Sequence, residues 1–310
     1  MESSRRHYFR KRNSPTENLT FIALMAGFDA IVSLIAALLP LSAVFVMIFV
    51  PLTSAAVAIF CKNRFLPVYL FSALGICLAL SAWNITNTVF YVFPALLTGS
   101  LYGLLWKAKV PYSLNLFATS LLSLGLFYVS LLFLRAVTGV DMVAFLLQVI
   151  QKQNDSLAPE IFPTFAFAYS LAQMALTHLF LETQLSRLQS PVFREDYMAP
   201  VATLSCFVFN GISAILAFFH TKTAYLFLVF GIYWALFALY SVIVSKRKIA
   251  YVILGILFFG SWLGFAAAYP VVPKGNGLAL LSLPLLPVGI VGFLNYVLLR
   301  KSGNAPKMDI

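Results

Sequence analysis

The sequence predicts an all-α fold, a polytopic transmembrane helical bundle of about ten spans. Three observations carry that prediction. Of 310 residues, 61% are hydrophobic and only 10% are charged, whereas soluble domains average roughly 25% charged residues. The apolar residues gather into runs near the about 20 residues that a helix needs to cross a bilayer. Between those runs the Lys and Arg residues alternate, dense in one loop and sparse in the next. A soluble fold this apolar would expose large hydrophobic patches and aggregate. The composition therefore excludes an ordinary soluble enzyme, a disordered tail and a secreted disulfide scaffold.

Taken in order, the candidate spans are residues 19–39, 41–60, 65–83, 88–106, 111–135, 161–181, 200–219, 223–245, 249–269 and 277–299. Only Pro40 separates the first two, so the alternative of one long run with a re-entrant bend stays open. The first run is too long for the core of a signal peptide and further spans follow it, so no cleavable leader is expected. Five segments result. They are a basic N-terminal segment (1–18), a five-span half (19–135), an external loop (136–160), a second five-span half (161–300) and a short tail (301–310). In the long loop Val143, Leu146, Leu147 and Ile150 recur at helical spacing, as in a helix lying in the membrane interface.

Charge orients the map. With the N-terminus inside, 17 of the 21 Lys and Arg residues fall on the inner side, leaving only Arg135, Lys152, Lys222 and Lys274 outside. Cytoplasmic loops are enriched in this way. The expected location is the bacterial cytoplasmic (inner) membrane, multi-pass, with both termini cytoplasmic. The net charge of +11 is then a topology signal, and its partner is the bilayer with its anionic headgroups, not nucleic acid.

Residues with chemical potential are few. His occurs only at positions 7, 178 and 220, and Cys61, Cys77 and Cys206 form no C-x-x-C pair. Nucleophile, zinc and nucleotide-binding motifs are absent from the sequence. The expectation is a protein without catalytic chemistry, cofactor or metal. A membrane-embedded enzyme acting on lipid remains a minor alternative.

The first span is the most informative. Ala23, Ala26, Gly27 and Ala30 fall on one helical face, in two overlapping small-x-x-x-small pairs that let backbones approach closely in lipid. The face either packs inside this protein or docks a partner membrane subunit. Asp29 lies beside it, near the bilayer centre, where a charge costs at least about 2.5–3.5 kcal/mol. It either binds a cation, proton or polar solute, or serves as a hydrogen-bonded structural acid. His178 and Glu182 share a face at i, i+4 and suit an interfacial ion pair better than a catalytic dyad. Trp83, Asn84 and Asn87 sit at the junction of the third and fourth spans. They suit either the cap of an outward-facing pocket or an ordinary aromatic belt with a polar turn. Asn115, Asn210 and Asn295 are expected to glue helices together, and Pro284 and Pro287 to kink the last span.

Three passages carry a family resemblance. They are Asn18-Leu-Thr-Phe-Ile-Ala-Leu-Met-Ala-Gly27, Ser190-Pro-Val-Phe193 with Tyr197-Met-Ala-Pro200, and Gly292-Phe-Leu-Asn-Tyr296 with Arg300-Lys301. Together they resemble the YybS-like family of uncharacterised bacterial membrane proteins. The first passage also resembles the opening helix of the substrate-binding S components of energy-coupling-factor transporters. That resemblance implies S-component-like packing in the N-terminal part and a membrane coupling subunit docked on Ala23, Ala26, Gly27 and Ala30. The chain departs from the pattern in having about ten spans where S components have about six, and in carrying Asn295 where the family's closing helix has an acid. The expected function is to bind or help transport a small solute that the sequence does not name. The alternative is a non-transport scaffold or biogenesis factor that docks another membrane protein.

Overall fold

The computed structural model of the protein describes residues 12–39, 43–139, 141, 144, 158–187, 199–245, 248–273 and 276–301. Among these residues all regular structure is helical. Val143, Leu146, Leu147 and Ile150 of the expected interfacial helix lie outside the described residues, as do Pro40 and Ser190–Tyr197. The helices are α1 (Pro15–Leu38), α2 (Ala43–Phe60), α3 (Leu66–Leu80), α4 (Phe93–Lys107), α5 (Tyr112–Thr138), α6 (Ala158–Arg187), α7 (Ala199–Leu216), α8 (Thr221–Ser245), α9 (Lys248–Ala268) and α10 (Ser282–Lys301). Among the described residues, eight helical segments are long and apolar enough to cross a membrane, while the apolar stretches Phe45–Phe60 and Pro200–Leu216 are shorter. The chain is an integral membrane protein of many spans, and it divides into two compact units. The first comprises residues 1–149 and 166–195, the second residues 150–165 and 196–310.

In the first unit α1 begins with a capping box. Ser14 Oγ accepts the N–H of Glu17, and Glu17 Oε2 accepts the N–H of Ser14. Pro15 supplies a first-turn residue whose missing N–H costs nothing. The start of α1 is fastened to the end of α2. The backbone N–H of Arg12 donates to Phe60 O at 3.1 Å, and buried Asn18 accepts the N–H of Lys62 at 3.0 Å while donating to Ser14 O at 2.6 Å. α1 and α2 are therefore two distinct helices, the second returning to the end from which the first began. Lys107, from the end of α4, donates to Cys61 O at 2.8 Å and to Asn63 Oδ1 at 2.7 Å. It thus covers the Cys61 carbonyl just beyond the end of α2.

A close helix contact in this unit joins α2 and α4 through Gly99-x-x-x-Gly103. A Cβ placed on Gly99 would lie 2.2 Å from Pro51 O, and one on Gly103 would lie 2.5 Å from Ala55 O. Only glycine fits at both positions. Lipid offers helices no hydrophobic drive to associate, so this packing supplies the attraction. Pro51, inside α2, brings no N–H to bond Met47 O. Gln173 of α6 donates to that freed carbonyl at 2.9 Å. Before α4 the chain makes a π-helical turn over Thr88–Val92, and Ser130 of α5 donates to its Val89 carbonyl at 3.0 Å.

In the second unit α7 packs between α8 and α10. Gly289 of α10 lies against the backbone of α7, where a Cβ would come within 2.9 Å of Thr203 O. Asn210 of α7 sits over Gly231 of α8, so closely that a Cβ on Gly231 would meet Asn210 Oδ1 at 2.3 Å. Asn276 donates to Ala217 O at 2.7 Å and accepts from Thr221 at 2.6 Å, closing the unit over a core of Ala217, Ala224, Leu228 and Leu280. Pro284 falls in the first turn of α10, where no ladder bond is lost, and Pro287 lies inside the helix. Most of α9 turns apolar side chains outward within this unit, among them Ile256, Phe259 and Leu263, as suits a helix facing acyl chains.

The glycine contact yields a test. Gly99→Ala and Gly103→Ala should each destabilise the protein by about 1–3 kcal/mol, the usual scale of overpacking. Gly27→Ala and Gly125→Ala, where a Cβ meets nothing within 4 Å, should change stability little. Thermal unfolding of the four variants in one detergent compares them directly.

Candidate functional site

Asp29 is the one carboxyl buried in the middle of an apolar helix among the described residues, with no measurable exposure. Three helices build its surroundings. α1 carries the acid in its central turns. α2 brings Thr53, two residues beyond Pro51, whose Oγ1 donates to Asp29 Oδ1 at 2.5 Å and also approaches Val50 O at 2.9 Å. α3 brings Tyr69 from its first turn, and the phenol donates to Asp29 Oδ2. Tyr69 is fully buried and its hydroxyl also lies 3.4 Å from Thr53 Oγ1. The close approach of α2 to α4 holds α2, and hence Thr53, in place. Each carboxyl oxygen therefore has a hydroxyl partner from the protein itself, as a polar group at membrane depth requires.

One turn beyond Asp29, Ser33 continues this polar seam. Asn87 Nδ2 donates to Ser33 O at 3.2 Å and reaches Ser33 Oγ at 3.3 Å. Ser81 donates to Cys77 O at 2.6 Å and pairs with Thr88. These side chains are buried, so the seam runs from Asp29 along the α1–α3 boundary to the π-helical turn.

Trp83, Asn84 and Asn87 do not converge on a common pocket. Trp83 is 64% exposed. Asn84 accepts the N–H of Asn87 at 3.3 Å and caps its own short turn. Asn87 points inward to Ser33. The face of small residues is likewise divided. Ala26 and Ala30 are buried in the unit, Ala23 is exposed, and Gly27 borders open space.

His178 and Glu182 form a second, separate group. His178 Nε2 stands 3.5 Å from Glu182 Oε2, and Nδ1 bonds the hydroxyl of Tyr102 from α4. Tyr112 stacks on the imidazole with ring centres 5.3 Å apart, and Trp106 lies at 5.7 Å. Sequence reasoning missed both Tyr102 and Tyr69, because a lone tyrosine in an apolar run carries no spacing signal. It also passed over Gly99-x-x-x-Gly103, a pattern with a known close-packing meaning in apolar helices.

The three asparagines differ. Asn115 donates to Tyr102 O at 3.1 Å and joins α5 to α4. Asn210 donates within its own helix to Cys206 O at 2.8 Å while packing on Gly231. Asn295 is buried in α10. A cavity of about 20 Å³, measured as space for the centre of a water molecule, lies among Met47, Tyr91, Phe127, Tyr169 and Gln173. That is room for about one water. No three His, Cys, Asp or Glu residues gather into a ligand set among the described residues.

Tyr69→Phe should cost about 1 kcal/mol or somewhat more, since it leaves Asp29 Oδ2 buried without its donor. Trp83→Phe, at an exposed ring, should cost little. Urea or thermal unfolding in lipid–detergent micelles distinguishes the two. Compared with family models, with characterised proteins and with solved structures, the chain finds no match, so the residues around Asp29 carry the functional argument.

Proposed function

We propose that this multi-pass membrane protein binds or helps transport a small solute, with the Asp29–Thr53–Tyr69 centre as its functional core and no catalytic chemistry of its own. One observation supports this reading above the others. A carboxyl fully removed from water in the middle of an apolar helix, facing hydroxyls from two neighbouring helices, is costly to insert and is a functional-site hypothesis by default. Pro51 and the π-helical turn add interrupted helices near that centre, a feature that transporter folds use at membrane depth. In the S-component-like arrangement that the opening helix resembles, energy comes from a separate coupling subunit. The setting is the bacterial cytoplasmic membrane with both termini inside, as the distribution of Lys and Arg implies.

A second reading has its own support. Asp29, Thr53 and Tyr69 are buried within the first unit, and the Ala23–Gly27 edge of α1 is open. That combination suits a scaffold or biogenesis factor whose first helix holds another membrane protein.

Purification of the tagged protein from native membranes, followed by mass spectrometry of bound small molecules and co-purifying proteins, separates the readings. The transport reading expects a bound solute that Asp29→Asn loses while the helices stay folded. The scaffold reading expects a co-purifying protein that Gly27→Leu loses and Asp29→Asn keeps. Retention of every bound species in both variants would overturn the two together.

A further inference from the structure

We propose that the cavity beside the proline-broken turn of α2 is a binding site for one water molecule, held by Ser123 of α5 and the side-chain carbonyl of Gln173 of α6. The site stands apart from the Asp29 centre, since Asp29, Thr53 and Tyr69 do not line it. It therefore holds under either functional reading.

The walls come from separate parts of the first unit. α2 contributes Met47, the π-helical turn contributes Tyr91, α5 contributes Ser123 and Phe127, and α6 contributes Ser170 and Gln173. Two helical stretches are interrupted here. Pro51 opens the turn of α2, and the stretch before α4 is π-helical, a local widening that recurs at functional sites.

Ser123 carries the argument. It is 6% exposed, and its hydroxyl meets no donor or acceptor among the described residues. Other hydroxyls of α5 and α6 behave differently. Thr119 lies 2.7 Å from Asn115 O, Ser130 donates to Val89 O at 3.0 Å and Ser170 donates to Ala166 O at 2.8 Å. A buried hydroxyl left alone gives up its hydration without return. Ser100 and Ser120 also lack partners, but neither lines this cavity. Gln173 commits Nε2 to Met47 O at 2.9 Å, while its Oε1 has no partner among the described residues.

Size and charge name the occupant. The space for a water's centre, about 20 Å³, suffices for one water and is too small for a larger solute. No acidic or basic side chain lines the cavity, so an ion would find no counter-charge. Water both donates and accepts. It accepts from Ser123 Oγ and donates to Gln173 Oε1 and to Ser170 Oγ, within the roughly two to four partners that buried waters have. Tyr169 is another wall residue and is 46% exposed, so the wall of the cavity reaches the protein surface there. The bound water joins α5 to the side chain that answers the Met47 carbonyl, and α2, α5 and α6 are tied together at the broken turn.

Hydroxyl-radical footprinting tests this with the full chain in lipid nanodiscs. Millisecond X-ray radiolysis makes radicals from bound water, and mass spectrometry locates the rings that they oxidise. The wild type is expected to be oxidised at Tyr91 and Phe127, which line the cavity, above Phe117 and Phe167, buried rings outside it. Ser123→Ala removes the anchoring hydroxyl, and Ser123→Val also takes up space. Both variants are expected to lower oxidation of Tyr91 and Phe127 severalfold and to leave Phe117 and Phe167 unchanged. Equal oxidation of the two pairs in the wild type, or undiminished oxidation of Tyr91 and Phe127 in either variant, would overturn the inference.

Discussion

A carboxyl group in hydrocarbon has no water to fall back on, so every partner it needs must be delivered by the protein. Asp29 imposes that requirement on the first unit. α1 cannot satisfy it alone, because the neighbouring helical positions are mostly apolar. The partners come instead from Thr53 on α2 and Tyr69 on α3. Both helices must then be held at fixed depth and rotation, and close contacts hold α2 on two sides. The Gly99 and Gly103 face of α4 lies directly on the backbone of α2. At the end of the hairpin, Asn18 and Lys107 tie α2 to α1 and to α4.

Pro51 links this arrangement to a more distant part of the chain. It leaves one carbonyl of α2 without its ladder partner, and Gln173 of α6 answers it. Tyr102 and His178 make a second polar tie between α4 and α6. Both ties join α6 to the N-terminal helices within the first compact unit. Membrane helices associate through such packing and hydrogen bonds, because burial from lipid supplies no apolar driving force.

The helices were legible in the sequence because hydrocarbon thickness sets a length that composition must meet. The positions of α1, α3, α5 and α10 follow from that alone. Asp29 was legible for a related reason, since an acid inside an apolar run stands out whatever its partners. Those partners were not legible. Tyr69 and Thr53 sit in runs where any small or aromatic residue is unremarkable, and only packing brings them to Asp29. The small face of α1 shows the same limit. A helical wheel groups Ala23 with Ala26, Gly27 and Ala30, yet within the unit Ala26 and Ala30 are buried while Ala23 is exposed. The wheel fixes angular position, and burial also depends on where along the helix a neighbour crosses. Gly99-x-x-x-Gly103 carried a readable signal. It differs from the α1 pairs in having two glycines, which permit backbone contact where alanine does not.

The central claim is that Asp29 is energetically fastened to α3 through Tyr69. A double-mutant cycle in lipid measures it most directly, comparing the stabilities of Asp29→Asn, Tyr69→Phe and the pair with the wild type. Residues in direct contact show interaction energies of about 0.5–3 kcal/mol, and the account predicts a value of about 1 kcal/mol or more for this pair. Additive effects of the two substitutions, with no interaction energy, would contradict it.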